Sequence, residues 1–285
     1  MNSEDSTRAY GGISILHAAG CGWGCTIPLE LTCEAFATDS WPNIDQDPHM
    51  LLAQLRPSLM HVTGFDVGKS FFFGIRSNIP SSMGLKSSSA ASVSAVRFAA
   101  TMHDISLSDL EIIQVATQMQ LRSGCSMTGS FDDTWSALGK MAAVIRTDSS
   151  NPSEPVALVD IESSMCTLLL RGIRKSTPEK SDFYPNKSKF KTARNHLMSG
   201  DIRRAMRENA DAVALSTGDG LATEIIDRLF SLNYTANISG SGPAIAVLHE
   251  QDQTNHLSEV LGVYGSTITT KVVHDPCQME GIQWA

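Results

Sequence analysis

Residues 79–91, Ile-Pro-Ser-Ser-Met-Gly-Leu-Lys-Ser-Ser-Ser-Ala-Ala, constrain this chain more than any other segment. Pro80 stiffens the approach, and Gly84 permits a backbone conformation that a side chain would block. Ser87, Ser88 and Ser89 then open a helix, where the first backbone N–H groups have no intrahelical partner. The small residues Ala90 and Ala91 let that helix pack closely. Free amides, hydroxyls, a positive dipole end and Lys86 beside them make an anion site. A helix merely capped by serine would explain the serine triplet taken alone. The segment is not a Walker P-loop, because no G-x-x-x-x-G-K-[ST] occurs.

The rest of the pattern is mixed. Residues 31–38, 70–75, 140–147, 156–161, 243–248 and 268–273 read as strands from their β-branched and aromatic content. Residues 88–103 read as a helix with Val93, Val96, Phe98 and Ala100 inward. Residues 108–124 read as a second helix. Ser108 with Glu111 fits a capping box, Ile112, Val115, Ala116 and Met119 follow at helical spacing, and Gly124 fits the stop. Residues 201–215 and 221–232 read as two further helices, and the last ten residues as a tail. Without a regular βαβ period, this mixture predicts an α+β fold in two halves. The polar Asn151–Pro155 turn marks the boundary, giving halves of 1–150 and 151–285.

Residues 9–29 carry no charge, which is membrane-span length. Gly11, Gly12, Gly20, Gly22 and Gly24 interrupt the stretch and Pro28 ends it, so it reads as a glycine-rich loop between strands. Glu4 and Asp5 stand where a signal peptide would carry cations, and the expected location is the cytoplasm. The six cysteines, Cys21, Cys25, Cys33, Cys125, Cys166 and Cys277, include no C-x-x-C pair and read as small buried hydrophobes in a reducing compartment. The net charge of −8 argues against a nucleic-acid partner. The charge is uneven: from Arg171 to Arg207 eleven Lys or Arg face Glu179, Asp182 and Asp201. That segment is either a solvated helix face with a polar loop or a patch that attracts an anion. The scattered histidines, His17 included, read as structural.

The arrangement P-x-x-x-G-L-x-S-S-(S)-A resembles the nucleotide-binding motif of the GHMP kinase superfamily. Ser239-Gly240-Ser241-Gly242-Pro243 resembles its late glycine-rich motif, and Gly129-Ser130-Phe131-Asp132-Asp133 lies between the two. The spelling GLKSSSA, the Thr128–Asp133 segment, Phe183-Tyr184-Pro185-Asn186 and the Gly200-Asp201 helix start together resemble the archaeal-type shikimate kinases within that superfamily. The resemblance runs from about residue 11 to about residue 250. It implies a two-lobed GHMP kinase fold, with an N-terminal nucleotide-binding lobe and a C-terminal ferredoxin-like lobe. It implies ATP-dependent phosphorylation of the shikimate 3-hydroxyl, with ATP and Mg²⁺ as cofactors.

Residue roles follow from the same resemblance. Pro80, Ser81, Ser82, Met83, Gly84, Leu85, Lys86, Ser87, Ser88, Ser89 and Ala90 would wrap the ATP phosphates, and Gly240, Ser241 and Gly242 would close over them. Ser88 and Asp132 are the candidate Mg²⁺ ligands. Asp132 aligns best with the catalytic aspartate, with Asp133 and Lys86 as its neighbours in function. Adjacent carboxylates on a helix or strand point different ways, so a shared dyad is not expected. The substrate carboxylate needs a cation, and Arg171, Arg174, Lys187, Lys189 and Arg194 are the candidates.

Two departures stand out. Cys21, in Gly20-Cys21-Gly22, replaces a lysine that archaeal shikimate kinases commonly carry, and Lys86 is the candidate replacement for its charge. Many GHMP kinases place a Glu on the helix before the Asp. Here that helix carries Gln114, Gln118 and Gln120 and no acid between Ile112 and Gly124. Alternatives are a homoserine or mevalonate type of GHMP kinase, or a non-catalytic nucleotide-binding relative.

Overall fold

The computed structural model describes residues 7–42, 47–147, 154–172 and 177–274. Its first unexpected feature is the uncharged N-terminal stretch. It is not a loop: strand β1 (Ala9–Leu16), the single-turn helix α1 (Ala18–Cys21) and strand β2 (Trp23–Ala37) occupy it. Ile13, Ile15, Cys25, Ile27 and Leu29 are fully buried, and Ser14 and Thr26 between them are buried as well, so both faces of these strands are covered here. The glycines there mostly serve close approach rather than turning. A Cβ on Gly24 would lie 2.2 Å from Asp132 Oδ1.

β2 is the spine of the first sheet. β1 runs antiparallel along it, β3 (Phe73–Ser77) pairs with its Cys33–Ala37 end and β4 (Ala142–Arg146) with its Trp23–Thr26 end. β5 (Ala157–Val159) adds to β4. Helices α2 (Leu55–Thr63), α3 (Ser87–Met102), α4 (Asp109–Ser123) and α5 (Asp132–Ala137) accompany this sheet. Ser108 caps α4 in a full capping box with Glu111, and Gly124 ends it in the left-handed conformation. On α3 Ala99 is buried, as are Ala90 and Ala95, while Ala100 is only half-buried.

The second sheet holds β6 (Met165–Leu170), β7 (Thr235–Ile238), β8 (Ile245–His249) and β9 (Ser266–Lys271) in the order β7-β8-β6-β9, all antiparallel. Between β6 and β7 run α6 (Lys187–Met198), α7 (Ile202–Thr217) and α8 (Gly220–Ser231), and α9 (Thr254–Gly262) joins β8 to β9. The first and third strands of this half, β6 and β8, lie in the centre and the second and fourth, β7 and β9, lie outside, which is the ferredoxin-like order. Asp201 caps α7, as the Gly-Asp start implied. The main core runs from Ile13 and Val93 across to Leu168 and Ala246, so the two sheets share it. A second core lies under α7, α8 and α9.

The predicted strand over 70–75 lies at 73–77, and β6 and β7 carry no pattern that marks them as strands in the sequence. The C-terminal tail and Cys277 fall outside the described residues. Among the described residues no helix is long and apolar enough to cross a membrane.

Candidate active site

The site begins with backbone. Ser82 (φ 59°), Gly84 (φ 79°) and Lys86 (φ 63°) are left-handed and alternate with residues of ordinary φ. Such alternation turns successive N–H groups to one side and makes a concave anion seat. Lys86 stands at the N-cap of α3 and offers no side-chain cap, so the first-turn amides at Ser87–Ser89 keep their donors for something else. Buried Leu85 anchors the loop, and its carbonyl accepts from Gly12 N at 3.1 Å.

The late glycine motif locks onto this seat. Ser239 Oγ donates to Gly84 O (2.8 Å), and Ala244 N donates to Met83 O (3.3 Å). A Cβ at Gly84 would lie 2.1 Å from Ser239 O, so only glycine fits there. Gly240 N donates to Ser14 Oγ at 3.2 Å, which ties the same loop to β1.

The carboxylates lie beside Lys86. Lys86 Nζ is 2.8 Å from Asp133 Oδ1, in a pair whose side chains are 10% and 31% exposed. The fully buried Thr26 hydroxyl stands 2.8 Å from both Asp132 Oδ2 and Asp133 Oδ1, and Ser130 Oγ bonds Asp132 Oδ1. The two adjacent aspartates therefore converge on one hydroxyl instead of diverging. They open the first turn of α5, and both reach Thr26 on β2. Burial, then the charge of Asp133, pushes Asp132 up to about 7. Burial acts on Asp133 too, but Lys86, Thr26 and the charge of His17 outweigh it and hold that carboxyl low.

Comparison with known proteins bears on this arrangement. The family model for the GHMP kinases N terminal domain matches residues 51–140, which include the phosphate seat and both aspartates. Curated relatives match over nearly the whole chain. The shikimate kinase of Thermococcus kodakarensis is 26% identical over 93% of this chain and 98% of its own. That of Methanobrevibacter smithii is 26% identical over 98% of this chain and 100% of its own. Residues 51–140 thus match a GHMP kinase N-terminal domain, and the chain is similar to shikimate kinases over nearly its whole length. Solved GHMP folds agree with its architecture. A mevalonate kinase superposes with a TM-score of 0.72 at 14% identity, over 94% of this chain and 99% of its own. A homoserine kinase from Listeria monocytogenes gives 0.63 at 17% identity, over 93% and 95%.

Around this site the other sequence candidates fall into place unevenly. Ser87 and Ser88 are half-buried at the seat, while Ser89 is buried. Ser88 and Ser89 both donate to Gln120 Oε1, at 3.3 and 3.0 Å. Gln120 thus occupies the place on α4 that faces the serines, with a neutral oxygen. Arg171 is not available to a substrate, because it pairs with Asp219 and Pro243. Lys189 lies 3.9 Å from Glu208. Arg194 lies over the Trp23 ring at 5.1 Å from its centroid, on the helix that packs against α1. Lys187 begins that helix, and Arg174 lies outside the described residues.

His17 has a structural part, capping α1 through Nδ1 and stacking on Phe183 at 4.7 Å, and its charge also acts on Asp133. The Cys21 thiol is pushed up by burial, against its bond to Trp23 and the charges of Arg194, Lys187 and Lys191, so it is a poor nucleophile. Thr26 and Ser14 are functional neighbours that no local motif announces. Thr26 is 106 residues from Asp132, and only the register of β1 and β2 brings Ser14 opposite it.

Proposed function

We propose that the protein is a shikimate kinase, transferring the γ-phosphate of ATP to the 3-hydroxyl of shikimate. The observation that carries the chemistry is the chain Lys86–Asp133–Thr26–Asp132 at the edge of an anion seat built from two interlocked glycine loops. The full-length likeness to archaeal shikimate kinases supports the substrate.

In this reading Pro80–Ala90 and Gly240–Gly242 hold the ATP phosphates through backbone N–H groups and the α3 dipole. Lys86 neutralises charge beside them. Resemblance put the base at Asp132. Burial and the Lys86 contact favour Asp133, which faces the acceptor hydroxyl, with Asp132 behind it. An ionised carboxylate there orients the hydroxyl and takes its proton as the phosphoryl group moves. Phosphoryl transfer needs little covalent help, so positioning and charge neutralisation supply most of the rate.

Mg²⁺ fits the donor set at Ser88. The Ser88 hydroxyl and Gln120 amide oxygen suit an ion held mostly by phosphates, and the ion would offset phosphate charge when bound. Asp132 could join it only by releasing Ser130 or Thr26. For the substrate carboxylate we favour Arg194 and Lys187 on α6, beside α1, over Lys189 on the same helix, which lies near Glu208. We also propose lobes of residues 1–150 and 151–285 and a cytoplasmic location.

The test is an ADP-release assay with Mg·ATP on shikimate, homoserine and mevalonate in parallel. Turnover on shikimate alone is expected. Turnover on another alcohol overturns the substrate, and no turnover on any overturns the kinase.

A further inference from the structure

Arg171 follows β6, far in sequence from the phosphate seat. Its side chain is 5% exposed. The guanidinium donates through Nη1 and Nη2 to Asp219 Oδ1 and Oδ2, at 3.0 and 2.6 Å, and through Nε to Pro243 O at 3.0 Å. Asp219 in turn caps α8 by accepting from Ala222 N at 3.0 Å. Three elements therefore meet on one planar cation: the end of β6, the start of α8 and the end of the late glycine loop.

The third contact has a consequence for the nucleotide. Proline has no N–H, so the carbonyl is the one backbone group by which Pro243 can be tied. Arg171 ties it. On the other side of that loop, Ser239 Oγ holds Gly84 O, Ala244 N holds Met83 O, and Gly242 N holds Ser239 O. The loop is clamped between Arg171 behind it and the phosphate seat in front.

We infer that Arg171 is a positioning residue for the nucleotide: through Pro243 it presses the Ser239–Gly242 loop onto Met83–Lys86 so that the two loops form one phosphate cradle. This rests on the ATP-binding part of the proposed function and not on the acceptor. Arg171 touches neither substrate. A merely structural buried ion pair would stabilise the fold without setting nucleotide affinity.

Arg171→Lys and Asp219→Asn separate the two roles. Lysine can still pair with Asp219, but its single nitrogen lacks the fork that reaches Pro243 as well. Asparagine removes the ion pair, keeps one oxygen to accept from the guanidinium and leaves Nε on Pro243. Calorimetric ADP affinity, KM for ATP, KM for the acceptor and the melting temperature are measured for each. Arg171→Lys is expected to weaken ADP binding and raise KM for ATP by about tenfold, with KM for the acceptor within about twofold of wild type. Asp219→Asn is expected to melt earlier yet keep ADP affinity. Unchanged ADP affinity in folded Arg171→Lys overturns the inference. So does a loss of affinity that tracks melting temperature in both variants. If Arg171→Lys does not fold, Arg171→Met/Asp219→Asn removes both charges together and must show the same loss of ADP affinity. A wild-type protein that binds ADP but phosphorylates a different alcohol overturns the substrate assignment and leaves this inference standing.

Discussion

Thr26 has one hydroxyl proton and two carboxylate oxygens 2.8 Å away. It can satisfy one of them; the other contact is attractive only if that carboxyl carries a proton. The opposite shifts of the two aspartates say which: Asp132 is driven up to about 7 and Asp133 is held low. Protonated Asp132 donates to Thr26, and Thr26 donates to ionised Asp133. The sign for stability follows. A carboxyl whose folded pKa lies above its unfolded one makes the folded state bind more protons, so stability falls as pH rises from about 4 to about 7. Asparagine at 132 is neutral throughout and keeps both contacts. Asp132→Asn should therefore melt close to wild type at pH 4, and above it by a few degrees, roughly 3 °C, at pH 8. Its kcat should fall about tenfold. Asp133→Asn should lose about three orders of magnitude in kcat, the upper range for a general base, with KM for both substrates little changed. Thermal melts across pH and steady-state kinetics decide this. A larger kcat loss at Asp132 would return the base to that residue. Lys86→Met, which strips Asp133 of its cation, should lower kcat as well; undiminished turnover would remove Lys86 from the mechanism.

At the scale of elements, the loop before α3 shows how backbone geometry becomes specificity. Gly84→Ala places a Cβ where φ is 79° and where Ser239 O already stands. The two loops must part, so KM for ATP should rise about tenfold or more while KM for the acceptor holds. Equal changes in both would mean the loops do not act as one cradle. Gln120→Glu tests the neighbouring helix. It puts a carboxylate against Ser88, and half-maximal activity should then need less Mg²⁺ in a metal titration; an unmoved midpoint would place the ion elsewhere. These elements differ in how legible they are in sequence. α4 is written out by Ser108, Glu111 and Gly124, because caps are local chemistry. The seat at 80–90 is legible because an anion site needs glycine, serine and a helix start in one stretch. β1 and the start of β2 mislead, since glycine reads as a turn signal but here serves contacts such as Gly24 against Asp132. The convergence of Asp132 and Asp133 on Thr26 is invisible, because strand register, not spacing, creates it.

At the scale of the molecule, the question is what makes two sheets act as one enzyme. β1 is an edge strand of the first sheet, and the carbonyls of Ser14 and Ile15 face the second. Buried carbonyls need donors. Asn237 Nδ2, from β7, supplies both at 2.7 and 3.1 Å, and Asn209 Nδ2 from α7 holds Asn237 Oδ1 at 3.1 Å. Asn209 Oδ1 accepts from His17 N at 2.9 Å, one residue beyond β1. Both asparagines are fully buried. The same β1 carries Ser14, which holds Gly240, so the stitch that joins the lobes also sets the height of the late glycine loop over the seat. Asn237→Ala leaves two carbonyls and an amide without partners, each worth about 1–3 kcal/mol when orphaned in the interior. We expect stability to fall by roughly 3 kcal/mol or more, read as a denaturant midpoint. Because the core is continuous between the sheets, wild type should unfold in one transition, and the variant should too, at lower denaturant. Two separated transitions in the variant would show that the asparagine stitch, and not the shared core, couples the lobes. With one transition kept, a rise in KM for ATP would locate the damage at the glycine loop, which begins two residues after Asn237, and would tie the interface between the sheets to nucleotide binding.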